Sequence, residues 1–125
     1  IETDIKTINI NATLGDLVEL ISKSQRNLFP VLNDNEELVG IVLLDNVRDI
    51  MFNSELYEKT YVRNLMINPP AHIYFTDSME EVMQKFNESN AWNLPVIDNG
   101  KYIGFVSKSQ MFSVYRKQLM SITED

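Results

Sequence analysis

The sequence of 125 residues contains no cysteine, which excludes a disulfide scaffold and a cysteine-ligated zinc site. Histidine occurs once, at His72. A metal site needs three or four clustered ligands, so His72 reads as an ordinary surface or linker residue and no metal is expected. Positive charge is scarce too: 11 Lys and Arg against 18 Asp and Glu leave a net charge of −7. Nucleic-acid binders carry basic patches and a high pI, so no nucleic-acid partner is expected. The longest apolar run, Leu38 to Leu44, falls far short of the roughly 20 residues of a transmembrane helix. No signal peptide is expected, and a chain that starts at Ile1 rather than Met reads as a piece of something longer. Nucleophile–base patterns, phosphate-cradling glycine loops and calcium-loop spacings are missing. The paired acids Glu36-Glu37 and Glu80-Glu81 have solvated or capping roles, so no catalytic residue and no enzyme is expected.

What is present is core-forming material. Apolar residues make up 44% of the chain, with six phenylalanines and five tyrosines. That composition excludes disorder, and a chain of this size buries about two-thirds of its surface on folding. The acidity is uneven. Residues 1–62 hold 11 acids and 5 bases, whereas residues 63–125 hold 7 and 6, so an anion is repelled less by the second half.

An internal repeat organises everything else. Thr13-Leu14-Gly15-Asp16-Leu17-Val18-Glu19-Leu20-Ile21 returns as Ser78-Met79-Glu80-Glu81-Val82-Met83-Gln84-Lys85-Phe86. Both carry the capping-box spacing, Thr13 with Asp16 and Ser78 with Glu81. Both continue with apolar residues at helical spacing. Phe29-Pro30-Val31-Leu32 returns as Leu94-Pro95-Val96-Ile97, a short buried strand with proline near its start. The turns Asn33-Asp34-Asn35 and Asp98-Asn99-Gly100 follow, the Asn-Gly pair being a strong hairpin signal. Leu38-Val39-Gly40-Ile41-Val42 then matches Tyr102-Ile103-Gly104-Phe105-Val106 as the returning strand. Asp45 and Ser109 are the expected caps of a second helix, whose stripes are Val47, Ile50, Met51 and Met111, Val114, Tyr115. Extended segments at 6–10 and 71–75 lead into the two copies, joined through Asn68-Pro69-Pro70. A unit of about 60 residues is marginal alone, so the copies are expected to pack together with pseudo-twofold symmetry.

This order of capped helix, x-Pro-Val, acidic turn, hydrophobic-Gly-hydrophobic-Val and second helix resembles the CBS domain. Two in tandem resemble a CBS pair, or Bateman module, across nearly the whole chain. The resemblance implies an α/β fold in which each copy is a small sheet with two helices, 1–62 forming the first motif and 63–125 the second. Gly40 to Phe52, and Val62-Arg63-Asn64-Leu65-Met66 running into Pro69-Pro70-Ala71, are similar to the cytoplasmic tail of bacterial CLC-type chloride channels. That likeness implies a regulatory module at the cytoplasmic face of the inner membrane. Its partners would be a second copy of itself, as a homodimer, and the transmembrane part of the parent channel. Two alternatives stand beside it: a ligand-free structural dimerisation module, and the regulatory pair of a magnesium transporter or soluble enzyme.

CBS pairs that bind adenosine ligands carry Gly-h-h-Ser/Thr-x-x-Asp, the hydroxyl serving the phosphates and the aspartate the ribose diol. The first copy gives Gly40, then Leu43 and Asn46, so both functional positions are lost; Asp45 falls one residue early. The second copy gives Gly104, Ser107 and Gln110, with Lys108 beside the hydroxyl to meet a phosphate. The missing aspartate exchanges a charged hydrogen bond for a neutral one and weakens binding on the order of 10–100-fold. The resemblance thus implies a weak site for AMP, ADP or ATP. Its residues would be Asn93, Leu94, Pro95, Val96, Ser107, Lys108 and Gln110, with Thr7 and Ile8 reached across from the first copy. Trp92 reads as a wedge at an interface rather than a stacking platform, and the six methionines read as core filler.

Overall fold

Thr13 and Ser78 start their helices by the same reciprocal pair of hydrogen bonds. The Asp16 N–H donates to Thr13 Oγ1 at 3.2 Å, and the Thr13 N–H donates to Asp16 Oδ2 at 3.0 Å. The Glu81 N–H donates to Ser78 Oγ at 3.2 Å, and the Ser78 N–H donates to Glu81 Oε1 at 3.4 Å. Each box satisfies donors that an uncapped helix leaves open. The structure, a computed structural model, describes residues 1–123; Glu124 and Asp125, the last two positions of the expected second motif, lie outside them.

The first copy runs β1 (Ile8–Asn9), α1 (Leu14–Ser22), β2 (Leu28–Leu32), β3 (Leu38–Leu43) and α2 (Leu44–Val47). The second repeats the order as β4 (Ile73–Tyr74), α3 (Met79–Ser89), β5 (Asn93–Asp98), β6 (Lys101–Ser107) and α4 (Lys108–Thr123). The mixed α/β class is as expected: two three-stranded sheets of order β1-β2-β3 and β4-β5-β6. The leading strand is parallel to the Pro-Val strand in both, Ile8 opposite Val31 and Ile73 opposite Val96. β1 meets only Val31 and Leu32, so Pro30 lies ahead of that ladder and forfeits no donor to it.

By packing, the chain forms two compact units. One comprises Asp4–Pro69 with Gly100–Tyr102, the other Ile1–Thr3, Pro70–Asn99 and Ile103 onward. In the first unit Leu14 and Leu17 of α1 close on Phe29, Val31, Val42, Val47 and Val62. In the second, Val82 and Phe86 of α3 close on Ile73, Leu94, Val96 and Val106. These are the apolar faces that the helical spacing predicts. At roughly 25 cal/mol per Å² of apolar surface, each fully buried Leu, Val or Phe contributes about 1.5–3 kcal/mol against leaving it in water.

Each unit also gains a short antiparallel bridge on its Gly-bearing strand. Ile67 pairs with Ile41 in the first, and Glu2 with Phe105 in the second. Glu2 lies so close to β6 that a Cβ on Gly104 would stand 2.5 Å from the Glu2 carbonyl oxygen. With φ at +154°, Gly104 also holds a backbone that side chains disfavour.

The second helix of the first copy departs from expectation. The stripe Val47, Ile50, Met51 predicts a helix of ordinary length, but α2 is four residues long. Asp45 does not cap it. The helix begins at Leu44, the capping position falls on Leu43, and Leu43 has no side-chain acceptor to offer. Without a cap, and with Asp, Asn and β-branched Val in its only turn, the segment cannot repay helix nucleation. It continues as tight turns instead, with the Ile50 N–H donating to the Val47 oxygen at 3.1 Å and the Asn53 N–H to the Ile50 oxygen at 3.0 Å. In the second copy the hydroxyl two residues ahead of Ser109 takes the capping role. Ser107 Oγ accepts the Gln110 N–H at 3.2 Å, and α4 then runs 16 residues.

Candidate functional site

The second unit contains an apolar cleft of about 210 Å³. Its floor comes from β5 and β6 through Val96 and Val106. The β4 end supplies Tyr74 and Phe75, and Met79 and Met111 come from α3 and α4. Ile1 forms one wall and Asp77 stands at the rim. Pockets for whole drug-sized ligands span about 300–1,000 Å³, so this one suits a single ring system with the remainder of a ligand outside.

The rim is held by charge. Lys85 Nζ lies 2.6 Å from Asp77 Oδ2 and 2.9 Å from the His72 carbonyl oxygen. The Tyr74 N–H donates to Asp77 Oδ2 at 3.0 Å. Burial pushes the Asp77 carboxyl up, but the hydrogen bonds from Lys85 and Tyr74 and the Lys85 charge outweigh it, so its pKa lies below the ordinary 3.8. The ammonium also sits 4.8 Å from the centre of the Tyr74 ring, which fixes that ring beside the cleft. His72 donates to or accepts from the Tyr74 hydroxyl at 3.0 Å.

The nine residues expected at the site divide into groups. Val96 lines the cleft. Ser107 directly follows the lining residue Val106, but its Oγ is engaged by the Gln110 N–H. Leu94 and Pro95 are buried in the sheet, which leaves their backbones rather than their side chains to meet a ligand. Asn93 and Gln110 are exposed. Lys108 turns its ammonium onto Trp92 and Phe112, 5.6 and 5.9 Å from the ring centres. Thr7 and Ile8 belong to the other unit, Thr7 exposed and Ile8 buried in β1. Trp92 itself is 75% exposed.

Sequence reasoning missed Ile1, Tyr74, Phe75 and Met111. A signal for Ile1 does exist: the offset of 65 that relates the copies maps Ile1 onto Met66.

In the first unit, Leu43 is half-buried and Asn46 exposed, and Asp45 is bound to Arg48 at 2.7 Å. That unit carries an open polar cleft of about 530 Å³ near Lys6, Lys23 and Arg26. Two of its three cations are already engaged, Lys23 by Glu19 at 3.1 Å and Arg26 by Asp4 at 3.1 Å. Among the described residues there is no cluster of three or more acidic or histidine side chains able to hold a metal. No helix among them is long and apolar enough to cross a membrane.

Known proteins resemble the chain in sequence or in fold. A homoserine O-acetyltransferase of Methanosphaera stadtmanae is 26% identical over 113 residues, which span 89% of this chain and 22% of that protein. An uncharacterized protein of Methanocaldococcus jannaschii is 24% identical over 112 residues, 89% of this chain and 36% of that one. The chain thus spans well under half the length of these relatives. Among solved structures, the CBS pair of a putative Mg²⁺ transporter from Shewanella oneidensis aligns with a TM-score of 0.74 at 15% identity, covering 94% of this chain and 68% of that one. CBSX2 in complex with AMP aligns at 0.69 and 24% identity, covering 91% and 89%. CbpB in complex with c-di-AMP aligns at 0.73 and 14% identity, covering 97% and 83%. The CBS-domain family pattern matches twice, at residues 1–53 and 62–117, in step with the repeat, the two sheets and the paired capping boxes: the chain belongs to the CBS-domain family, as a tandem pair.

Proposed function

We propose that the chain is a regulatory module that takes an adenine nucleotide in its second copy and biases a larger protein to which it belongs. The observation that carries this reading is the apolar cleft bounded by Val96 and Val106, one residue from Ser107. The base enters the cleft. The sugar and phosphates extend toward the start of α4, where Ser107 and Lys108 stand and the surrounding half is nearly neutral. Lys108 leaves the Trp92 ring to meet a phosphate, and Gln110 supplies a neutral hydrogen bond to the ribose. Asn93 and the Leu94 and Pro95 backbones flank the base. Thr7 and Ile8 stay outside this narrower contact set.

Two solved CBS proteins of the same fold hold AMP and c-di-AMP, which supports an adenine ligand. A ligand biases a larger protein only through differential affinity for its two states. As to the parent, the homoserine O-acetyltransferase relative favours a regulatory pair on a soluble enzyme, and the Mg²⁺ transporter pair favours one on a membrane transporter. The chloride-channel reading rests on Gly40–Phe52 and Val62–Ala71, and places the module on the cytoplasmic face as a homodimer. The exposed α4 residues Phe112, Leu119 and Ile122 fall on a coiled-coil spacing that suits self-pairing.

Isothermal titration of the chain with AMP, ADP, ATP and c-di-AMP tests the reading. Binding about 10–100-fold weaker than at a site that keeps the ribose aspartate is expected. Ser107→Ala should weaken it about 5-fold, the value of one neutral hydrogen bond. Because Ser107 also caps α4, the ligand-free melting point of the variant is measured alongside. No heat and no thermal shift at millimolar nucleotide would leave a ligand-free dimerisation module as the function.

A further inference from the structure

One backbone bond recurs at the same place in both copies, and the side chains around it differ. The Leu44 N–H donates to the Asn27 oxygen at 2.9 Å, and the Lys108 N–H donates to the Trp92 oxygen at 2.8 Å. The repeat aligns Asn27 with Trp92, Leu44 with Lys108 and Arg48 with Phe112. In the first copy Arg48 is bound to Asp45 at 2.7 Å. In the second, Ser109 replaces that acid. There the Lys108 ammonium stands 5.6 Å from the centre of the Trp92 ring and 5.9 Å from that of Phe112.

Both rings are open to solvent, Trp92 at 75% and Phe112 at 40%. What draws Lys108 to them is the attraction of a cation for a ring face, which is weak at an exposed site. A charge-assisted hydrogen bond to a phosphate is stronger. Lys108 also opens α4, a 16-residue helix with no acid in its first turn. A cation is disfavoured at that positive helix end, and an anion is favoured there.

We propose that Trp92 and Phe112 form a berth for the Lys108 ammonium, and that a phosphate group competes with them for it. The proposal rests on the nucleotide reading and adds a regulatory consequence to it. Because the berth must be vacated, the two rings lower the affinity for phosphorylated ligands without touching the ligand. Their exposed faces lose the cation on binding, so occupancy of the site is displayed on the surface at Trp92.

The full chain is titrated with AMP, adenosine and pyrophosphate, followed by NMR of the Lys108 side chain and by calorimetry. Ring currents should shift the Lys108 methylene protons upfield in the free chain. AMP and pyrophosphate should remove that shift, and adenosine should leave it. Trp92→Leu keeps the backbone acceptor and should tighten AMP binding about 2–5-fold, the value of one exposed cation–π contact. Lys108→Met should weaken AMP binding about 10-fold or more and cancel the effect of Trp92→Leu in the double variant. A Trp92 that stacks on the ligand or only packs an interface predicts weaker or unchanged binding in Trp92→Leu, and either result overturns the proposal. So do Lys108 protons without a ring shift in the free chain, or protons that keep the shift when AMP binds; the nucleotide reading then stands if AMP binds. Pyrophosphate binding that releases Lys108, with no AMP binding, sinks the nucleotide reading and keeps the berth. Binding of neither sinks both.

Discussion

Asp77 is 8% exposed in its side chain and would be costly to bury as an anion without Lys85, whose ammonium lies at 2.6 Å. The pair ties the turn after β4 to α3, and through Lys85 it also fixes the Tyr74 ring. Because the folded pKa is depressed below 3.8, the stabilisation is full above the unfolded value. It disappears as the pH falls through the folded one. Lys85→Met should therefore destabilise the protein by about 1–3 kcal/mol at pH 7, the loss of a charge-assisted hydrogen bond to a buried carboxylate that keeps only its neutral donors, the Tyr74 N–H among them. The deficit should shrink as the pH falls through the folded pKa, below 3.8, and Asp77 takes up a proton. Urea unfolding at pH values from 7 down through the folded Asp77 pKa measures it, and a deficit that does not change over that range would deny the pair this role. Neither partner was legible as a pair. Asp77 and Lys85 lie eight positions apart across a strand end and a helix, a separation that no local pattern flags.

Elements were legible where their signals are local. Thr13 with Asp16 and Ser78 with Glu81 are read directly from spacing, and both boxes form. The hairpin at Asn99-Gly100 is likewise local, with φ of 52° and 83° at the two residues, as the type I′ turn requires. The helix after β3 was not legible, because Val47, Ile50 and Met51 keep helical spacing while Leu43 supplies no cap. Periodicity records which residues face the core; it does not record whether a helix can start. Replacing that cap tests the point: Leu43→Ser should lengthen α2, read as helical NMR shifts over residues 48–51, and unchanged shifts there would refute it. Conversely, Thr13→Ala and Ser78→Ala should each cost about 1 kcal/mol in urea unfolding. Loss of both caps should be additive, since they serve separate cores.

At the scale of the whole chain, the repeat predicts two similar halves but not how the ends are shared between them. The second unit takes Ile1–Thr3 from the far end of the sequence, because β6 exposes an edge that Glu2 can pair. Its two hydrogen bonds, Glu2 N–H to the Phe105 oxygen at 2.7 Å and Phe105 N–H to the Glu2 oxygen at 2.9 Å, have exact counterparts between Ile67 and Ile41 in the first unit. The difference is in tethering. Ile67 follows the Val62–Asn64 turn within its own unit, whereas Ile1–Thr3 reaches the second unit only as a separate segment. Deleting residues 1–3 therefore removes two backbone hydrogen bonds, about 2 kcal/mol, from one unit and none from the other. The Phe105 amide should then exchange with solvent about 30-fold faster, at 1.4 kcal/mol per decade. The Ile41 amide, bonded to the Ile67 oxygen at 2.9 Å, should keep its protection. Equal loosening of both amides would mean that the two units open as one, and an unchanged Phe105 would mean that the leading strand contributes nothing to its sheet.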